Sequence, residues 1–328
     1  MEAETMTEET SSRWSAPPPV PKSVSEAAQE FLATTSAFAG AAPVPAPDDL
    51  EGWHATARLG DQLLVQMFAE RLPADVALER TDFELDGIRT HVMRPSHVPD
   101  SHETPLFLDV HGGGLYMGAG EACVAMTALA AASRAMVTWA VDYRMPPEHP
   151  YPAGLDDCVA VYRKAVDERD PHNIIVGGSS AGGNLAAALL LRAKQQRLPM
   201  PAALVLLTPE VDLTETGDTF QTLLGVDSVL GSLMNANLLY ANGHDLADPY
   251  LSPLFGDLSG FPPTYLQSGT RDLFLSNTVR MHRRLRAAGV DAELHVGEAM
   301  PHGGFGGATP EDRELQAELA RFLERHLR

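Results

Sequence analysis

The residues from Gly178 to Gly182, with the sequence Gly-Ser-Ser-Ala-Gly, join two apolar segments of different character. The run Ile174-Ile175-Val176 predicts a buried strand, and the alanine- and leucine-rich residues 184–191 predict a helix. A Gly-x-Ser-x-Gly pattern between a strand and a helix is typical of a nucleophile elbow, a sharp turn that holds the central serine, here Ser180, clear of the sheet. Glycine on both sides lets the strand and the helix approach closely. The same pattern also occurs in ordinary glycine- and serine-rich loops, so other parts of the chain have to support this interpretation.

Strand-like and helix-like segments alternate on both sides of this turn. Asp86-Gly87 lies between residues 76–85 and 88–93, which predicts an antiparallel hairpin. Apolar runs then predict strands at 106–110, 136–141, 174–176, 203–207, 264–268 and 292–296, with helices at 122–134, 154–168, 183–196, 278–288 and 311–327. This alternation predicts an α/β fold, with a mostly parallel central sheet of about eight strands and helices on both faces.

The segments outside the alternation suggest how the chain is divided. Residues 1–22 are acidic and then proline-rich, which predicts a mobile tail. Residues 23–75 hold two helical patterns, at 25–38 and at 48–72 with a break near Gly60, joined by a proline-rich linker at 41–47; we expect them to form N-terminal cap helices. Residues 212–261, with a helical piece near 232–241, predict a cap or lid insertion, although a crossover with long loops fits equally well. Residues 76–211 and 262–328 then form the catalytic core.

Composition narrows the classes of function. The chain has 328 residues, 44% of them apolar, and a formal net charge of −20, which disfavours binding to nucleic acid and to anionic membranes. The two cysteines, Cys123 and Cys158, lie in apolar helical patterns and are expected to be core residues rather than a disulfide or a metal pair. The acidic N-terminus has no apolar signal segment and no apolar run is long enough to span a bilayer, so we expect a cytoplasmic protein.

A second glycine-rich motif precedes the elbow. His111-Gly112-Gly113-Gly114 directly follows the strand at 106–110. Successive glycines leave backbone N–H groups bare, which is what stabilises a developing oxyanion. In folds with a nucleophile elbow, a loop of this kind supplies one side of the oxyanion hole and the residue after the nucleophile, here Ala181, supplies the other.

A base and an orienting acid should follow the serine in the chain. We select His302 because it lies in a loop after the last predicted strand, where catalytic side chains of open α/β sheets are found. The other histidines after Ser180 lie in helices, in a strand or in the 212–261 interval: His244, His282, His295 and His326. For the acid we favour Asp272, in the loop after the strand at 264–268, over Asp291, which begins the next strand. Three further carboxylates in or near the interval are interpreted as turn or cap residues: Asp245, Asp248 and Asp257.

Together these motifs resemble the bacterial branch of the hormone-sensitive-lipase family of α/β-hydrolase-fold carboxylesterases. The resemblance covers nearly all of the chain after residue 76 and rests on the motifs at 111–114, 142–153, 178–182, 268–272 and 301–305. It implies Ser180 as nucleophile, His302 as base and Asp272 as orienting acid, with oxyanion donors at Gly113, Gly114 and Ala181. It also implies a cap over the acyl pocket, formed by the N-terminal helices and the segment after Asp212.

Two features depart from this family. Ser179 precedes the nucleophile, where the two large bacterial subgroups usually carry Asp or Thr, so the subgroup and its dimer mode stay open. Glu210-Val211-Asp212 stands where many relatives have a tryptophan near the pocket, which would alter the pocket floor.

The expected activity is hydrolysis of short- to medium-chain carboxylic esters through an acyl-enzyme, with no metal or cofactor and a small-molecule ester as the partner. A lactone hydrolase or an amidase would use the same triad, and a non-catalytic small-molecule binder is a further alternative on the same fold. A homodimer is also left open. Apolar residues near the expected site are candidates for the acyl pocket: Tyr116, Met117, Leu213, Val226, Leu230, Leu233 and Met234.

Overall fold

The computed structural model describes residues 18–35 and 44–327. Most of the predicted tail, part of the linker at 41–47 and the last three residues of the helix expected at 25–38 lie outside the described residues. The first described helix, α1, spans Glu26–Thr35.

An eight-stranded sheet forms the centre of the molecule, with spatial order β1-β2-β4-β3-β5-β6-β7-β8. β2 pairs antiparallel with both β1 and β4, and all the other neighbours are parallel. This confirms the predicted α/β-hydrolase architecture. The strands are β1 Leu78–Leu85, β2 Ile88–Pro95, β3 Leu106–Val110, β4 Val137–Asp142, β5 Ile174–Ser179, β6 Ala203–Leu207, β7 Thr264–Gly269 and β8 Ala292–Gly297.

Both faces of the sheet are covered by helices. The remaining described helices are α2 Leu50–Arg71, α3 Glu121–Arg134, α4 Ala153–Glu168, α5 Ala181–Gln195, α6 Thr219–Thr222, α7 Met234–Ala241, α8 Leu275–Ala287 and α9 Pro310–His326. Apolar side chains of α4, α5 and α8 join the large core on one face, and those of α9 pack against Phe107, Ile175 and Tyr265 on the other. Successive strand residues point to opposite faces, so the central strands β3, β5, β6 and β7 contribute to both cores.

The hairpin predicted at Asp86-Gly87 forms, and α9 begins with a capping box that was not predicted. Asp86 and Gly87 have φ angles of 51° and 84°, the positive values that a two-residue type I′ hairpin turn requires. Thr309 and Asp312 form a reciprocal capping box at the start of α9.

Helix α2 differs from the expectation because it continues through Gly60 without a break. A Cβ atom at position 60 would lie 2.2 Å from Met117 Sδ, so the glycine serves a close contact between α2 and the loop after β3. Within the described part of the chain, no helix is both long and apolar enough to cross a membrane.

Candidate active site

Ser180 lies at the turn between β5 and α5, with φ 57° and ψ −124°. Few residues other than glycine adopt this region, and such strain is concentrated at functional sites. The turn is held by its backbone, because the Ser180 N–H donates to the Leu207 carbonyl at 2.9 Å and the Glu210 N–H donates to the Ser180 carbonyl at 3.2 Å. The serine side chain is thereby presented at the carboxyl end of the sheet.

The flanking glycines are required by close contacts with the neighbouring backbone. A Cβ on Gly182 would lie 1.9 Å from the Val110 carbonyl oxygen, and one on Gly178 would lie 2.4 Å from backbone atoms of Gly182. Real Cβ atoms do not approach a backbone this closely, so β3, β5 and the start of α5 meet only because both positions are glycine.

The glycine loop after β3 lies beside the elbow. A Cβ on Gly112 would lie 3.4 Å from Ser180 Cβ, and Gly113 and Gly114 have φ angles of 131° and 59°. Tyr143, which directly follows β4, holds this loop in place. Its hydroxyl donates to the His111 carbonyl at 2.9 Å, and the Tyr143 and His111 rings stack with centroids 4.1 Å apart.

Helix α2 fixes the same loop from the other side. The Gly118 N–H donates to Asp61 Oδ1 at 2.6 Å. Burial, and next the charge of Asp142, raise the pKa of Asp61, while the Gly118 hydrogen bond lowers it. The Tyr116 ring packs edge-on against Trp53, with centroids 4.9 Å apart. The loop is therefore anchored to both the sheet and α2.

Base and acid candidates meet directly. His302 Nδ1 donates to Asp272 Oδ1 at 3.0 Å, and both side chains are buried, with exposures of 8% and 0%. Asp272 also accepts from the Ser268 hydroxyl at 2.6 Å and from the Phe274 N–H at 3.0 Å. This bond leaves Nε2 as the ring nitrogen available to a substrate or to Ser180, and His302 and Ser180 line the same cavity.

The charges around His302 favour its protonated form. Burial lowers the pKa of the imidazole, but the hydrogen bond and the charge of Asp272, together with the charge of Asp227, raise the pKa by more, so that the net shift is upward. An imidazolium formed when His302 accepts a proton is thus stabilised by two carboxylates.

Asp227 was not among the predicted site residues. It lies in the 212–261 interval, 45 positions before Asp272, and is fully buried. Burial, and next the charge of Asp272, raise its pKa to about 6. The sequence around it has no motif, and only the three-dimensional structure brings it beside the acid and the base.

The cavity at this site has a volume of about 1270 Å³. Of the seven acyl-pocket candidates, five line it: Tyr116, Met117, Leu230, Leu233 and Met234. Leu213 does not, because it is fully buried in the large core, where the Ser252 hydroxyl accepts its N–H at 2.8 Å. Val226 is also buried and is absent from the lining.

The rejected histidines lie away from the cavity and have other contacts. His282 meets the Ala292 carbonyl at 3.3 Å, and His295 stacks on Tyr265. His244 packs edge-on against Tyr151, and His326 packs against Phe322. These contacts are structural.

One group of side chains among the described residues has atoms spaced as metal ligands. His91, Cys123 and Asp142 each place a ligand atom within 4.8 Å of the others. Ion pairs already account for His91, whose ring nitrogens lie 3.2 Å from Asp82 and 3.5 Å from Asp142. Burial lowers the pKa of His91, but the two carboxylates raise it by more, which favours an imidazolium rather than a neutral metal ligand.

Comparison with known proteins identifies the family of this chain. Residues 107–305 match the model of a family described by the α/β-hydrolase fold. An esterase of Acinetobacter venetianus is 32% identical over 76% of this chain and 83% of its own length. The carboxylic ester hydrolase LipN of Mycobacterium tuberculosis is 28% identical over 90% of this chain and 82% of its own.

Solved structures agree over even more of the chain. The esterase E25 superposes with a TM-score of 0.86 at 36% identity, covering 96% of this chain and 99% of that one. An esterase of the bacterial hormone-sensitive lipase family superposes with a TM-score of 0.80 at 30% identity, covering 93% and 99%. The chain therefore belongs to the α/β-hydrolase-fold carboxylesterases of the bacterial hormone-sensitive lipase family.

Proposed function

We propose that this carboxylic ester hydrolase works through a serine triad and an acyl-enzyme. The observation that supports this most is the 3.0 Å bond between His302 Nδ1 and Asp272, in the same cavity as Ser180 on its strained turn. Ser180 Oγ attacks the ester carbonyl carbon while His302 Nε2 takes the hydroxyl proton. His302 then gives that proton to the leaving alcohol oxygen as the acyl–oxygen bond breaks.

Water completes the reaction in the second half. His302 Nε2 accepts a proton from water as the water oxygen attacks the acyl carbon. The bond between the acyl carbon and Ser180 Oγ then breaks, His302 returns the proton to Oγ, and the carboxylic acid is released. In both halves negative charge develops on the carbonyl oxygen, which we place against the N–H groups of Gly113, Gly114 and Ala181. One such donor typically lowers the barrier by about 3 kcal/mol. The charge of Asp272 holds the imidazole in the tautomer with Nδ1 protonated.

The proposed substrates are small esters with short- to medium-chain acyl groups, bound between Tyr116–Met117 on one side and Leu230–Met234 on the other. We propose that helices α1 and α2 and residues 212–261 act as the cap over this pocket. Lactone and amide hydrolysis would use the same groups, and no contact at the described site favours either of them. A homodimer and a cytoplasmic location stay predictions from the sequence.

Replacing the nucleophile tests the mechanism. Ser180→Ala should reduce turnover of an aryl acetate by at least about 10⁴-fold and abolish labelling by an organophosphonate, because no acyl-enzyme can form. The neighbouring hydroxyl provides the matched control, since Ser179→Ala should still be labelled. If Ser180→Ala retained full activity, or if mass spectrometry located the label on Ser179, the proposal would be wrong.

A further inference from the structure

We propose that Asp227 is a positioning residue for ester hydrolysis. It holds the loop of Asp272 (residues 270–274, the acid loop), the loop of His302 (residues 298–309, the base loop) and one wall of the cavity in register, and it adds a second negative charge beside His302. This inference rests on the proposed triad. Asp227 follows the short helix α6, and its side chain is fully buried. A buried carboxylate is costly unless it is well bonded, so its partners indicate what it is for.

One oxygen of Asp227 reaches the acid loop. Oδ2 accepts the Leu273 N–H at 2.8 Å. Leu273 follows Asp272 directly, and the next N–H in the chain, that of Phe274, donates to Asp272 Oδ1 at 3.0 Å. The turn that orients the acid is therefore held at its middle residue by a side chain from a distant segment.

The other oxygen reaches the cavity wall and the base loop. Oδ1 accepts the Val229 N–H at 2.9 Å and the Leu230 N–H at 3.3 Å, and both of these residues line the cavity. The His302 N–H makes a longer contact with the same oxygen, at 3.5 Å. Asp227 thus joins three segments that approach the reacting groups from different parts of the chain.

The charge of Asp227 acts on the same imidazole. Among the described residues, the titratable groups that act on His302 are Asp272, from the loop after β7, and Asp227, from the loop after α6. The reaction forms an imidazolium at His302, so a second carboxylate favours the charged intermediate. Burial first, and then repulsion from Asp272, raises the pKa of Asp227 to about 6, so its charge supports His302 in full only above that pH.

An amide cannot replace this carboxylate in full. Asparagine has one acceptor oxygen, so it can bond either Leu273 or the Val229–Leu230 pair, and its NH₂ group would face the other donors. Asp227→Asn therefore removes the charge and loosens one of the two attachments, with little change in volume.

The test measures kcat and KM for an aryl acetate between pH 5 and pH 9 in the wild type and in Asp227→Asn. We expect kcat above pH 7 to fall about ten- to a hundred-fold, with KM changed less than about three-fold, because the loss is one of alignment. We also expect the acidic limb of kcat/KM to move to lower pH, since His302 loses a carboxylate that raises its pKa.

Asp157→Asn is the matched control. Asp157 is also buried, with 1% of its surface exposed, and it accepts three hydrogen bonds from the Arg144 guanidinium. We assign this pair no role in the reaction. This variant should lose stability without moving the pH limb. An Asp227→Asn enzyme with unchanged kcat and an unmoved limb would overturn the proposal.

A further measurement keeps the proposal testable if Asp227→Asn does not fold. In Ser180→Ala protein, the ring signals of His302 should follow two steps by NMR, one of them near pH 6 as Asp227 titrates. A single step would contradict a charge interaction between the two. Failure of the triad itself would be recognised separately, by turnover that survives Ser180→Ala.

Discussion

At the scale of single residues, the position of a residue relative to the strand ends was enough to predict that two distant side chains meet. His302 and Asp272 were selected because each follows a predicted parallel strand, and their atoms meet at 3.0 Å. Carboxyl ends of parallel strands share one edge of the sheet, so this rule needs no knowledge of tertiary contacts. Glu210 also follows a strand, but its environment is set by its neighbours in space. Glu210 is fully buried, and this burial is the main reason why its pKa is raised to about 8. The negative charge of Glu215 is the second cause.

This shift predicts how stability depends on pH. The folded state keeps the proton of Glu210 up to about pH 8, whereas the unfolded chain releases it near its usual pKa of 4.5. The unfolded state is therefore favoured progressively as pH rises between these values, and the stability present at low pH is lost. Glu210→Gln stays neutral, so its free energy of unfolding relative to the wild type should rise by about 3–5 kcal/mol between pH 4.5 and pH 9.

Urea unfolding at several pH values measures this difference. Glu84→Gln, on the exposed edge hairpin, is the control, and its difference from the wild type should stay small at every pH. A Glu210→Gln difference that stays flat from pH 5 to pH 9 would mean that Glu210 ionises without cost in the folded protein.

At the scale of elements, local patterns predicted the strands, the hairpin and most helices, and long-range contacts account for what they missed. Helix α2 was expected to break at Gly60, but that glycine faces Met117 across an interface that no local pattern reports. Asp227 was missed for a similar reason, because its partners at Leu273 and His302 are 46 and 75 positions away. Leu213 was expected at the pocket from its place in the 212–261 interval, yet the chain turns it into the core.

The elbow gives a sharp prediction at this scale. Gly182→Ala should destabilise the fold by more than about 3 kcal/mol, because the added Cβ would lie 1.9 Å from the Val110 carbonyl oxygen and neither backbone can move without breaking the pairing of β3 with β5. Gly231→Ala is the control, since a Cβ there meets nothing within 4 Å. Its free energy of unfolding should stay within about 0.5 kcal/mol of the wild type. Wild-type stability in Gly182→Ala would show that β3 and α5 do not meet as closely as described.

At the scale of the whole molecule, the cavity depends on segments that are far apart in the chain. Its walls come from α2, from the glycine loop after β3, from α3, from residues 224–235, from the base loop and from α9. The sequence predicted each of these segments separately, but not the volume of about 1270 Å³ that they enclose. That volume depends on how the side chains of these segments pack against one another, and the periodic pattern of apolar residues does not specify this. A cavity of this volume does not by itself limit the acyl length, so we expect any limit to be set by side chains that line it beside the glycine loop.

Met117 is the residue that we expect to set that limit. It lines the cavity and lies against Gly60 of α2, where a Cβ would meet its Sδ at 2.2 Å. For p-nitrophenyl esters we expect kcat/KM to rise about four-fold for each added CH₂ that the cavity buries, which corresponds to about 0.8 kcal/mol, and to fall when the acyl chain exceeds about eight carbons.

Gly60→Ala should displace the flexible Met117 side chain into the cavity, so the hexanoate should lose more of its rate than the acetate. Fastest turnover on acyl chains of about fourteen carbons, or equal losses on both esters in Gly60→Ala, would place the limit elsewhere in the cavity.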